Sequence, residues 1–206
     1  MRMKNLKSFV HAVWFGFLAT SFVCASAAYA SESTAFDLIK EGNRFVGEQS
    51  KDKVLYIRSE KSVGSLTPTI WTITYYDPTA TMKGTEVKFG AGKMIDVKRP
   101  FRLLERASGS IPLDRDKLKV DSDQALKTAL AEPLLQNLKV TASRLNLERV
   151  GEGVLGVAGP GEGVWKVRLW AAKLRDPNRD ADIGEVWVAG SDGKVLKTDL
   201  HINRVD

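Results

Sequence analysis

Trp165-Lys166-Val167-Arg168-Leu169-Trp170 alternates in character at every step, so an extended chain puts Trp165, Val167 and Leu169 on one face and Lys166, Arg168 and Trp170 on the other. Earlier in the chain Trp71-Thr72-Ile73-Thr74-Tyr75-Tyr76 repeats the arrangement, with Trp71, Ile73 and Tyr75 together. The two apolar faces read as core. Each Trp strand is followed by a hairpin. Glu86-Val87-Lys88-Phe89 runs into Gly92-Lys93-Met94-Ile95, and Glu185-Val186-Trp187-Val188 runs into Gly193-Lys194-Val195-Leu196. Gly92 and Gly193 supply the positive φ that a tight hairpin requires.

Each Trp strand is also preceded by a helix and a further strand. In the first helix Ser33 or Thr34 caps, Ala35, Leu38, Ile39 and Phe45 form the apolar stripe, and Asp37, Lys40, Glu41 and Arg44 face solvent. In the second, Asp121 followed by Gln124 is a capping-box variant, and Leu126, Ala129 and Leu130 make the stripe. Pro133 cannot continue a straight helix, so a break is expected near Glu132. The spacings from Ala35 to Trp71 and from Ala125 to Trp165 are 36 and 40 residues, close enough for a duplicated unit. The expected fold is therefore α+β. A signal peptide at 1–30 precedes two tandem units, 31–100 and 121–206, each a helix packed on an antiparallel sheet. A connector at 101–120 links them, and Phe101, Leu103 and Leu104 suggest that part of it is packed. The two sheets are expected to pack or join.

The second unit resembles the PepSY-like family in Asp121-Ser122-Asp123-Gln124-Ala125-Leu126, the Trp-led strand, and the closing Asp192-Gly193-Lys194-Val195-Leu196 hairpin. The first unit departs from it, having Gly90-Ala91-Gly92-Lys93 where an acidic residue should precede the turn glycine. The resemblance implies a fold similar to that of β-lactamase inhibitory proteins. It also implies binding or inhibition of other proteins, with no catalytic residue to carry over.

The composition points the same way. The 206 residues carry 31 Lys+Arg, 25 Asp+Glu, one cysteine and two histidines. Arg2, Lys4 and Lys7, the apolar run Phe9–Val23 and Ala28-Tyr29-Ala30 make an export signal, with cleavage expected after Ala30. Cys24 follows Val23, where a lipoprotein signal needs a small residue, so acylation there is not expected. The remaining chain has no cysteine and one histidine, His201, so thiol, zinc and Ser-His-Asp templates lack parts. A periplasmic or secreted protein without a transmembrane segment, cofactor or catalytic residue is expected. Nothing suggests nucleic-acid binding.

The outward faces of the strands offer the functional surface, because a sheet covered by helices on one side leaves the other free. Lys166, Arg168, Trp170 and Trp187 are the candidate partner contacts, together with Tyr76 from the first unit, where Thr72, Thr74, Glu86 and Lys88 also face outward. The competing reading is that this patch is covered by the other unit, by the connector or by cation–π stacking within the sheet. The scarcity of exposed tryptophan pairs favours that covering. Asp176, Asn178, Asp180 and Asp182 alternate like a calcium loop, but Ala181 and Trp187 occupy the positions that need glycine and glutamate, so a solvated connector is expected. Gly151, Gly153, Gly156, Gly159, Gly161 and Gly163 lack the GK[ST] ending of a phosphate cradle and read as a strand-to-strand loop. His201 reads as an edge residue. Two alternatives remain. One is a hydrolase using two of Asp114, Asp116, Glu132 and Asp176. The other is a binder of anionic envelope polymers using Lys93, Lys98, Arg99, Arg102 and Arg106.

Overall fold

The Thr34 side chain accepts a hydrogen bond from the Asp37 amide and starts α1, Ala35–Gly42, which buries Ala35, Leu38 and Ile39. The computed structural model describes residues 33–100, 111–149 and 162–205, apart from the side chains of Pro177 and Asn178. The signal region, Phe101, Arg102, Leu103, Leu104, Arg106 and Gly151 to Gly161 lie outside those residues.

The strands are β1 (Val54–Ser59), β2 (Ile70–Tyr76), β3 (Gly84–Gly90), β4 (Lys93–Lys98), β5 (Leu138–Arg149), β6 (Gly163–Lys173), β7 (Asp176–Ala189) and β8 (Val195–Leu200). The second helix, α2, spans Ser122–Leu130 and ends before Pro133, which opens a separate 3-10 turn, Pro133–Leu135. All eight strands form one antiparallel sheet in the order β4-β3-β2-β1-β5-β6-β7-β8. This corrects the expectation of two tandem helix-on-sheet units. Among the described residues two short α-helices lie on one continuous sheet, within one compact unit, Ser31–Asp206.

The physical reason lies at the junction of β1 and β5. Their backbone register holds only Ile57 against Leu147 and Arg58 against Asn146. Serine side chains extend the seam. Leu145 N donates to Ser59 Oγ and Ser143 N donates to Ser62 Oγ, each at 2.9 Å, while Ser62 N donates to the Ser143 carbonyl at 2.8 Å. Ser143 Oγ donates in turn to the Leu66 carbonyl. All three serines are buried, so these bonds satisfy groups that water does not reach.

The helices are joined by the same kind of exchange. Asp121, expected to bond within its own first turn as part of a capping box, accepts from Ser122 N and from Phe36 N at the start of α1. Ser122 Oγ accepts from Ala35 N, so residues of the α2 cap also satisfy the free amides of α1. The core is one apolar cluster drawn from both halves. Trp71 and Trp165 are fully enclosed in it, and their indole N–H groups donate to the carbonyls of Pro68 and Val120. Tyr75 reaches the Ile39 carbonyl at 2.9 Å, pinning α1 to β2, and burial pushes its phenol well above the usual range. The expected cores of both Trp strands are present: Trp71, Ile73 and Tyr75, and Trp165, Val167 and Leu169, are all buried. Gly92 and Gly193 close their hairpins with φ of 78° and 76°.

Candidate functional site

The helices pack on the apolar side of β2, β6 and β7, leaving the opposite side of the sheet without a helix among the described residues. The pairing registers align one outward residue from every strand on that open side: Asp96, Lys88, Thr72, Arg58, Asn146, Lys166, Trp187 and Lys197. With about 4.8 Å between neighbouring strands, the row is roughly 34 Å long. It is polar along its whole length apart from the indole of Trp187.

The sequence-predicted contacts occupy this face but do not form one cluster. Trp187 sits opposite Lys166, whereas Trp170 sits opposite Asp182, and the Arg168–Glu185 pair lies between them. Both indoles are half-buried. Lys166 Nζ lies 4.3 Å and Lys197 Nζ 5.2 Å from the Trp187 ring centre, and the Trp187 N–H donates to Glu185 at 2.7 Å. Trp170 carries Lys61 at 4.6 Å and Arg144 at 5.8 Å. Cation–π stacking within the sheet thus covers part of each indole. Lys166 also pairs with Glu148, and Arg168 with Asp182 at 2.7 Å. Tyr76 is elsewhere. It lies at the end of β2 opposite Gly84, with β1 and β5 separating β2 from β6.

At the centre of the open face is a shallow cavity of about 340 Å³, lined by Arg58, Ser59, Glu60, Thr72, Lys88, Lys98, Arg144 and Asn146. Beside it on β3, two residues from Lys88, is Glu86, its side chain only 7% exposed, approached by Arg58 at 3.7 Å and Lys98 at 3.6 Å. Tyr56 donates its hydroxyl to Glu86 at 3.2 Å, and burial raises the pKa of that phenol. Lys88 pairs with Glu60 at 2.7 Å. Arg144 is exposed and makes no ion pair within hydrogen-bonding reach among the described residues; its described contact is the Trp170 ring. Sequence reasoning missed Arg58, Arg144 and Asn146. Their outward positions follow from alternation with Ile57, Leu145 and Leu147, but nothing in the sequence shows that β1 and β5 adjoin.

The stretch Asp176 to Asp182 is part of a 14-residue strand, which corrects the expected connector. Asp180 is held by Lys61 at 3.1 Å, which lowers its pKa, and Asp182 is held by Arg168. Asp176 faces Lys173 in the register, and the Asn178 side chain lies outside the described residues. No group of three or more metal-ligating side chains occurs among the described residues. Asp114 accepts from the Asp116 amide and pairs with Lys117 at 3.8 Å, while Glu132 precedes the Pro133 turn. His201 follows β8 and lies 3.3 Å from Asp199. Of the expected polymer-binding cations, Lys98 lines the central cavity and Arg99 pairs with Asp77 at 3.1 Å. Lys93 sits across from Gly90 beside the hairpin turn. No helix among the described residues is long and apolar enough to cross a membrane. No protein family, curated protein or solved structure matches this chain.

Proposed function

We propose that the chain is a non-enzymatic binding protein that holds another protein or a peptide against the open face of its sheet. The edge-to-edge row from Asp96 to Lys197 carries this reading. It presents aromatic, cationic and amide groups on a rigid surface wide enough for a polypeptide partner. Planar indoles already held by stacked lysines lose little freedom on binding. The export signal read from the first thirty residues makes a periplasmic or secreted partner part of the same proposal. So does the PepSY-like origin read from the second half.

A photoreactive phenylalanine placed at Asn146, in the middle of the face, tests it against one placed at Lys127 on the exposed side of α2. Irradiation in envelope extract should give a discrete adduct from Asn146 and none from Lys127. Adducts at Lys127 alone, equally at both sites, or at neither would overturn the reading.

A further inference from the structure

The central cavity makes the chemistry of that partner more specific. Four cations line it, Arg58 and Arg144 from the two sides of the β1–β5 seam and Lys88 and Lys98 from β3 and β4. Against them stand Glu60 on the wall and Glu86, which pairs with Arg58 and Lys98, leaving a surplus of two positive charges. The contributions are unequal. Arg58 and Lys98 are drawn toward Glu86, and Lys88 toward Glu60, whereas Arg144 is exposed and makes no ion pair among the described residues. Between them Thr72 and Asn146 occupy the same row as Arg58 and can hydrogen-bond a ligand without adding charge.

We propose that this cavity receives an acidic side-chain cluster of the partner polypeptide, with Arg144 as the principal anchor. This rests on the binding role proposed above and names the recognised group. A guanidinium matches a carboxylate in two parallel hydrogen bonds, and one not already held by an acid has no internal pair to break first. The distribution of charge favours a short acidic segment over a long polyanion. Outside the cavity the row's cations are already held by acids, Lys166 by Glu148 and Lys197 by Asp199, and Asp96 stands opposite Lys88, so a uniformly charged polymer crossing the sheet meets paired cations and a carboxylate beyond the cavity.

The test uses the full chain after signal removal, labelled with ¹⁵N. It is titrated with an eight-residue Gly/Ser peptide carrying Glu-Glu at its centre, with the Gln-Gln counterpart, with inorganic phosphate and with polyphosphate. The Glu peptide should shift the amide signals of Arg58, Arg144 and Asn146 and bind at least 10-fold more tightly than the Gln peptide. Arg144→Ala should weaken it at least 5-fold, Lys127→Ala should leave it unchanged, and raising the salt should weaken it. Equal binding of the two peptides overturns the proposal, as does an Arg144→Ala effect no larger than that of Lys127→Ala. Binding of polyphosphate or phosphate in preference to the Glu peptide does the same and identifies the site as one for polyanions or free anions. A crosslink at Asn146 together with failure of the Glu peptide would leave the open-face reading standing and remove only this refinement.

Discussion

Replacing Ser59 and Ser62 with alanine tests how two halves of one chain become one sheet. Ser59 Oγ accepts the Leu145 amide and Ser62 Oγ accepts the Ser143 amide, each at 2.9 Å, and both serines are at most 5% exposed. Each alanine therefore strands a buried backbone N–H rather than exchanging one solvated bond for another. Stranding such a group costs about 1–3 kcal/mol. Taking about 2 kcal/mol per site, each single variant should melt roughly 4–8 °C lower, on the scale of about 2–4 °C per kcal/mol for a chain of this size. The two bonds belong to one seam, so the double variant should depart from additivity, which a double-mutant cycle measured by urea unfolding would show. Amide hydrogen exchange supplies the local readout: Ser143 and Leu145 should lose protection while Val167 in the neighbouring strand keeps it. If the double variant unfolds within about 0.5 kcal/mol of the wild type, with Ser143 and Leu145 still protected, the serines do not close the seam and the reasoning fails.

Two further outcomes test the frame around the site. Asp77 is buried, and although burial opposes its charge, hydrogen bonds from Thr79 and Thr85, with Arg99 beside it, hold its carboxyl at about 2. A folded value below the ordinary 3.8 contributes stability above about pH 4 that is lost as the pH falls toward 2. Asp77→Asn should therefore cost about 2 kcal/mol at pH 7 and much less at pH 2.5 in urea titrations; a pH-independent difference would contradict this. Asp121→Ala removes the acceptor shared by Ser122 N and Phe36 N, and should lower stability by about 1–2 kcal/mol while reducing exchange protection at the start of both helices. Loss of protection in α2 alone would show that the cap is local.

The alternation of Trp71-Thr72-Ile73-Thr74-Tyr75 and Trp165-Lys166-Val167-Arg168-Leu169 made both core strands legible, because a period of two leaves one way to bury the large side chains. The start of α1, the break at Pro133 and the two glycine turns were legible for a similar reason: capping, proline geometry and positive φ act over a few residues. The Asp176 to Asp182 stretch was misread because its acids suggested a loop. In the fold those acids continue a strand, and Asp180 and Asp182 are neutralised by Lys61 and Arg168 from elsewhere in the chain.

What the amino-acid order determined by itself was which side of each strand is apolar, where the helices begin and where Pro133 interrupts the second, and hence which residues look outward; the first helix, read through Phe45, stops at Gly42. Tertiary structure decided which outward residues share a site. Strand alternation carries no information about which edges pair. The union of β1 with β5 depends on buried serines whose partners lie more than eighty residues away and on helix caps exchanged over a similar distance. That union merges the two expected units into one sheet and places Arg58 and Arg144 in the same cavity.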